Sequence, residues 1–505
     1  MKNIFYFSKN CRLYPLFWCV LIIFNNCFAQ NYSLESINNK QHRNLQLLNF
    51  KDSLTSHMVE SNLVFKNSIV NWKKPLFNFI PFIISQQFNS HHPFGWNDGA
   101  MIQAKGYQIL ARPGGNFKYG IFEAQLAPEF VFATNDNFAT PQYGDFNSKS
   151  YAKIFSGQSF IKANFGSISV GVSSQNLWWG PGIHSSLLMS NNAPGFLHAF
   201  IGTRKPIITP IGSLEFNLIG ARLNSTSTIG YENSHLQTRD YKNDWRYLNS
   251  YVISWQPKWI KGLFVGVTRS VQQYGHRIQN LQSGFISKYL PVLGLAVQKQ
   301  NNLAEDSMDR DQLASFFLRW VLHRTNAEFY IEYGKNDYGI NLRDYLMAPS
   351  HSTAYILGFR KLIKKTNVTY LQLEAEIAQL SQSPDYLVRD AGNWYEHGRL
   401  SQGYTHNNQI IGAGAGFGSN VQTISATWVK GEIRNGFLFQ RVERDPVNRA
   451  AKWTDLSIGW MPQWTFKNLL LCAKVQIIRS NNYSWENGNH PFNLHTRLMI
   501  QYNLK

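Results

Sequence analysis

Short runs of strictly alternating apolar and polar side chains recur from Pro75 to the C-terminal residue, and this period of two constrains the chain more than any other feature. Leu371, Leu373, Ala375 and Ile377 share one face of a run whose other face carries Gln372, Glu374 and Glu376. Leu471, Ala473, Val475 and Ile477 likewise oppose Cys472, Lys474 and Gln476, and Phe329, Ile331 and Tyr333 oppose Glu328, Tyr330 and Glu332. Successive side chains of a strand point to opposite faces, so each run has one apolar and one polar side. A soluble antiparallel sheet gives the same pattern. The final run is more telling. Phe492, Leu494, Thr496, Leu498, Ile500, Tyr502 and Leu504 fall on one face, and Asn493, His495, Arg497, Gln501, Asn503 and Lys505 on the other, with Met499 the exception. An apolar-faced strand with an aromatic near its end is how barrels in lipid usually close. Closure matters there, because each exposed edge group costs several kcal/mol.

Composition supports the same class. Charged residues make 16% of the chain, below the roughly 25% of soluble domains, while 35 Phe, 24 Tyr and 15 Trp are too many for a disordered chain. The mean hydropathy of −0.30 and the lack of an 18-residue apolar run exclude a bundle of membrane-spanning helices. The expectation is an all-β fold, a transmembrane antiparallel β-barrel over 75–505. About 430 residues at roughly 10 per strand plus loops allow 16–18 strands.

The first 29 residues read as a signal peptide. Lys2, Lys9 and Arg12 form a basic start, Leu13 to Phe24 an apolar stretch too short to span comfortably, and Cys27-Phe28-Ala29 a cleavage site. Cys11, Cys19 and Cys27 leave with it, so Cys472 stands alone and no disulfide or cysteine metal site is expected. The formal net charge of +19 falls by three, to +16. A basic exported protein suits an acidic polymer, anionic lipid or lipopolysaccharide rather than nucleic acid. Residues 30–74 form a separate segment, without Gly or Pro from 31 onward. Leu47, Phe50, Leu54, Met58 and Leu63 recur at near-helical spacing there, which predicts a short periplasmic helical segment.

Strand parity orients two loops. With both barrel termini in the periplasm, the strand near 76–88 rises and the one near 492–504 descends. His91 to Gly99 and Ser480 to Pro491 are then extracellular.

Catalytic signatures are sparse: no G-x-S-x-G, H-E-x-x-H or P-loop occurs. Phe417 breaks a nucleotide-loop reading of GAGAGFG (412–418), and alternating glycine is expected to strip one strand face for close approach. Glu305, Asp306, Asp309 and Asp311 lack the glycine and glutamate of an EF-hand and read as a solvated loop. His397 and His406 read as lumenal histidines, and Glu328, Glu332, Glu374 and Glu376 as an ion-pair network rather than an acid–base pair. No catalytic residue, metal or cofactor is expected.

Sugar recognition needs Trp and Tyr to stack on pyranose rings and amides, carboxylates and Arg to bond hydroxyls. FGWNDG (94–99), NLWWGPG (176–182), WYEHG (394–398) and NNYSWENGNH (481–490) combine these parts. Aromatic girdles at the membrane interface use the same residues. Trp178 and Trp179, beside Gly180-Pro181-Gly182, read as structural. The candidate ligand-binding residues are Trp96, Asn97, Asp98, Trp394, Tyr395, His397, Tyr483, Trp485, Asn487 and His490.

The order and spacing of these fragments resemble the Wzi-type capsule assembly proteins of Gram-negative outer membranes. The resemblance rests on HPFGWNDGAMIQAKG (92–106), Pro128 to Phe130, NLWWGPGIHSSLLMSNNAPG (176–195), DQLASFFLRW (311–320), EFYIEYGKND (328–337), PSHSTAYILGFR (349–360), WYEHG and GYTHNNQ (403–409). It spans roughly 90–410. It implies a barrel of about 18 strands, a small periplasmic helical bundle, and lectin-like attachment of surface polysaccharide; no sugar-contact residue carries over. The implied setting is the cell outer membrane, with insertion by the barrel assembly machinery, contact with membrane lipid and lipopolysaccharide, and a monomeric state. A diffusion porin and a lipid or glycan hydrolase are the alternatives.

Overall fold

The computed structural model describes residues 43–44, 46–48, 59–60, 75–140, 144–146, 149–224, 245–280, 284–294, 310–336, 350–366, 368–383, 392–398, 400, 402–447 and 451–503. The signal segment, Phe50, Leu54, Met58 and Leu63 of the predicted helical stripe, Glu305, Asp306 and Asp309, and Leu504 and Lys505 lie outside these residues.

Most of the described strands form one closed barrel, and three short two-stranded pairs lie apart from it. Joining pieces of one strand across short breaks gives eighteen: β1 (76–89), β2 (106–119), β3 (122–133), β4 (151–165), β5 (Ile168–Ser173), β6 (198–209), β7 (Gly212–Leu223), β8 (Arg246–Pro257), β9 (Leu263–Tyr274), β10 (Asp311–Leu322), β11 (Ala327–Asn336), β12 (Thr353–Lys364), β13 (Thr369–Gln379), β14 (Asn420–Lys430), β15 (Ile433–Arg444), β16 (Trp453–Phe466), β17 (Leu469–Asn481) and β18 (Phe492–Tyr502). Each pairs antiparallel with its sequence neighbours, and β18 returns to β1 through His495↔Asn89 to Tyr502↔Phe82. No edge is left for lipid to meet.

The alternation has the expected sense. Phe329, Tyr333, Ile377, Val475, Ile477, Phe492 and Leu494 are exposed on the outer surface, whereas Glu328, Glu332, Gln372, Glu374, Glu376, Gln476, Asn493 and His495 are buried inside. The exceptional Met499 packs with Ile83 and Leu470 in a small apolar cluster. Connections also alternate. Turns such as 120–121, 166–167, 323–326, 431–432 and 467–468 lie at one end, and long loops such as 90–105, 174–197 and 380–419 at the other. Short turns on one side and long loops on the other are the habit of outer-membrane barrels.

The lumen is packed with chain. Leu177, Trp179, Leu187 and Met189 of one long loop, and Tyr395, Tyr404, Ile410 and Phe417 of another, join Leu47 and Leu48 in one buried apolar cluster with wall residues such as Phe317 and Ile356. Residues 43–44 and 46–48 are helical and enter from the short-turn end. There Arg43 lies 3.0 Å from Glu328, Asn44 donates to the Gln372 side chain at 3.0 Å, and Lys364 donates to the Leu48 carbonyl. Val59 and Glu60 pair with Trp179 and Trp178.

The four lumenal carboxylates have divided roles. Glu328 meets Arg43, Arg319 and Arg360, and Arg360 reaches Glu374 at 2.9 Å, which is the expected ion-pair network. Glu376 instead accepts from the backbone N–H of Ile183 at 2.6 Å and of His184, and from the Tyr330 hydroxyl at 2.7 Å. Glu332 accepts from the Leu187 N–H and the Ser315 hydroxyl. These two anchor the loop 174–197 rather than joining the network. A second correction concerns 412–418, which forms turns inside the barrel and not a strand. Close approach still explains its glycines: a Cβ on Gly412 would sit 2.1 Å from the Leu187 carbonyl oxygen, and one on Gly414 2.3 Å from Asn192.

Candidate functional site

The two loops assigned to one end by parity meet there. His91 and His92 lie against the Tyr483 ring, with centroids 5.7 and 4.6 Å away. The Ser480 N–H donates to the Pro491 carbonyl, and Asn493 donates to the His92 carbonyl at 3.1 Å. Beneath them stands Trp453, edge-on to Tyr483 at 5.1 Å and to Trp485 at 5.0 Å. Buried Asp455 organises this cluster. It accepts from the Trp453 indole at 2.8 Å and the Ser480 hydroxyl at 2.6 Å, and pairs with Arg444 at 3.2 Å. Arg444 also donates to the Ala415 carbonyl, which ties the outer rim to the lumenal chain.

The ten predicted residues separate by depth. Tyr395 is wholly buried: its hydroxyl accepts from the Ala413 N–H and donates to the Leu187 carbonyl, both at 2.7 Å, and its ring stacks on Tyr404. Trp394 is buried beside it. His397 is half-buried and accepts from the Leu400 N–H. The WYEHG fragment is therefore a pin between two lumenal loops.

FGWNDG plays a similar part. Asp98 is buried and pairs with Arg497 while accepting from Gln87 at 3.1 Å. Burial raises the Asp98 carboxyl above its ordinary value, and the Arg497 charge opposes that shift. Asn97, at φ 63°, donates to the His184 carbonyl at 2.8 Å, and Trp96 packs half-buried against the apolar cluster.

The 481–490 fragment presents its surface outward. Tyr483 is buried as the loop's anchor, Trp485 is half-buried, and Asn487 and His490 are exposed. The Trp485 indole donates to the Arg444 carbonyl at 2.9 Å, so one ring edge is fixed. Asn482, Ser484 and Trp485 all have φ near +55°, an unusual conformation for side chains with a Cβ. Such strain persists where surroundings over-determine it, often at binding loops.

Sequence reasoning missed Trp453, Arg444 and Asp455. Arg444 and Trp453 face each other across β15 and β16, and a hairpin register was the signal that would have joined them. It missed His92 as well, whose ring is buried against Tyr483. Burial, with the charges of His91, Arg444 and Lys105, holds His92 well below the ordinary histidine range.

The family model of capsule assembly protein Wzi matches residues 85–449. No curated protein sequence matches the chain. Among solved structures, Wzi of Escherichia coli, described as an outer membrane protein involved in group 1 capsule assembly and a carbohydrate binding β-barrel, aligns with a TM-score of 0.59 at 11% identity, covering 94% of this chain and 90% of that one. OpdQ of Pseudomonas aeruginosa aligns with a TM-score of 0.43 at 11% identity, covering 85% and 98%. OccAB4 of Acinetobacter baumannii gives 0.42 at 9% identity, with the same coverages. With the model matching most of the barrel, in a chain of eighteen strands and a filled lumen, this protein belongs to the Wzi capsule assembly family.

Proposed function

We propose that this protein is an outer-membrane lectin that binds surface polysaccharide, capsular or another exopolysaccharide, and retains it at the cell surface without catalysis. The observation that carries the reading is a filled barrel whose long-loop end displays aromatic and amide side chains, in a chain of the Wzi family. Trp485, braced by Trp453 and by its indole bond to Arg444, offers a ring face for a pyranose. Asn487 and His490 stand beside it for hydroxyl contacts, and Trp96, Asn97 and His397 are half-buried candidates at the same end. Asp98, Trp394, Tyr395 and Tyr483 support this surface from within. Each contact is weak, but a repeating polymer engages many copies, and effective concentration multiplies them.

In this reading the signal 1–29 is removed on export, and 30–74 follows as the periplasmic segment. The barrel assembly machinery inserts 75–505 as a monomer, with the short turns in the periplasm and the outer loops among lipopolysaccharide. Packing by 174–197 and 380–419 argues against a diffusion porin. The test is deletion of the gene followed by measurement of cell-bound and shed polysaccharide. Loss of retained polysaccharide is expected, and unchanged retention overturns the proposal.

A further inference from the structure

The net positive charge has a pronounced location. Arg204 and Lys205, Lys258 and Lys261, Arg324, Lys365, Lys430 and Lys467 are all exposed at the short-turn end. Six of them lie in or beside five consecutive short turns, from β8–β9 to β16–β17, while Arg204 and Lys205 sit in the break within β6, where Arg204 bonds the 166–167 turn. Among the described residues, none of the eight lies within ion-pairing distance of a carboxylate, and Glu432 is the one exposed anion of these turns. Neighbouring turns are two strand widths apart, about 10 Å, which matches the Debye length near physiological salt, so their fields merge into one belt.

Apolar side chains alternate with these cations. Trp259, between Lys258 and Lys261, is 64% exposed; Phe466, beside Lys467, is 68% exposed; and Val368 and Ile208 stand out similarly near Lys365 and Lys205. Large apolar groups held in the open next to long cationic stems are what a membrane interface accommodates: the ring or methyl enters the acyl boundary and the stem reaches the phosphates. A soluble acidic partner would instead approach the end face, where the helical residues 43–44 and 46–48 lie, with Lys364 bonding the Leu48 carbonyl and Asn326 the Leu47 carbonyl.

We propose that the short-turn end is a cationic collar that binds the headgroups of anionic phospholipids in the leaflet around it, fixing the barrel's depth in the membrane. The leaflet assignment rests on the orientation given above, but the lipid preference does not rest on polysaccharide binding.

The test uses the full chain in neutral detergent, titrated with micelles carrying fluorescent phosphatidylglycerol or fluorescent phosphatidylcholine, with energy transfer from tryptophan as the readout. At roughly fivefold per cation near an anionic surface, phosphatidylglycerol should bind at least tenfold tighter at low salt, and the preference should vanish near 0.5 M salt. The variant K258Q/K261Q/R324Q/K365Q/K430Q/K467Q should lose the preference, yet run as a heat-modifiable barrel and bind glycan as before. If that variant fails to fold, the triples K258Q/K261Q/R324Q and K365Q/K430Q/K467Q should each weaken the preference several-fold. Equal binding of the two lipids by the unsubstituted chain overturns the proposal, as does a preference that survives substitution. Soluble polyglutamate binding that depends on the six cations while lipid binding does not would assign the collar to an acidic protein partner instead. Failure of glycan binding with an intact lipid preference would count against the lectin reading alone.

Discussion

Trp485 and Tyr395 belong to the same residue class and illustrate opposite uses of it. Trp485 keeps one edge bonded and part of its ring toward solvent, at a backbone φ of 59°. A pre-held ring loses little entropy on stacking, so Trp485→Ala should weaken glycan affinity about tenfold, or ~1.4 kcal/mol. Titration of purified protein with the polysaccharide checks this, and unchanged affinity removes the residue from the site. Tyr395 has no exposed surface, and its hydroxyl serves Ala413 and Leu187 at once. Tyr395→Phe leaves a buried N–H and carbonyl unpaired, at a cost of about 1–3 kcal/mol. A lower thermal midpoint in heat-modifiability gels with glycan affinity retained is the expected outcome; weakened binding in the stable fold would make Tyr395 a contact residue. In sequence, the two fragments look alike, since each sets aromatics among Asn, Glu, His and Gly. The difference arises from where the chain folds: WYEHG turns into the lumen against residues some 200 positions away, and no local pattern reports that.

Individual strands were the most legible elements, because a wall between lipid and a polar interior forces a two-residue period on every span. Loop parity was legible for the same reason, and the contact of 91–92 with Tyr483 follows from it. Lumenal loops were not legible, since they obey packing and hydrogen bonding without a period. Contact between the paired loops 90–105 and 482–491 is expected to depend on pH. His92 is buried with no hydrogen-bond partner at Nε2 among the described residues, facing His91, Tyr483, Arg444 and Lys105. Its pKa in the folded loop lies below the ordinary 6.5. The unfolded or opened loop therefore binds the proton more readily. Stability from the neutral ring is present above pH 6.5 and is lost as pH falls from there toward the depressed value. Acidification from pH 7.5 to about 5 should loosen the loop pair. Trp fluorescence and protease access across that range check it, and His92→Phe should flatten the response. A loop equally protected at both pH values would refute this role of His92.

At the scale of the whole molecule, the wall, the lumenal loops and the N-terminal helical residues are held together by buried polar groups rather than by apolar packing alone. Glu328 balances three guanidiniums, one of them brought in by Arg43, so closing the short-turn end and neutralising the wall are one event. Higher up, Glu332 and Glu376 take backbone donors of 183–187, where a loop that crosses the lumen would otherwise leave N–H groups without acceptors. A plug fixed at these points should pass little current. Planar-bilayer recordings of the full chain should show small or no steady conductance. Glu332→Ala with Glu376→Ala strips both anchors and leaves the Ile183, His184 and Leu187 donors unpaired, a loss of about 1–3 kcal/mol for each buried group. The loop should then leave the lumen part of the time, and frequent open steps should appear while the β-sheet signal in circular dichroism stays unchanged. Large steady conductance in the unsubstituted chain would contradict a packed lumen and return the barrel to the transport class; silence in the double variant would show that apolar packing around Trp179 and Leu187 suffices to hold the plug.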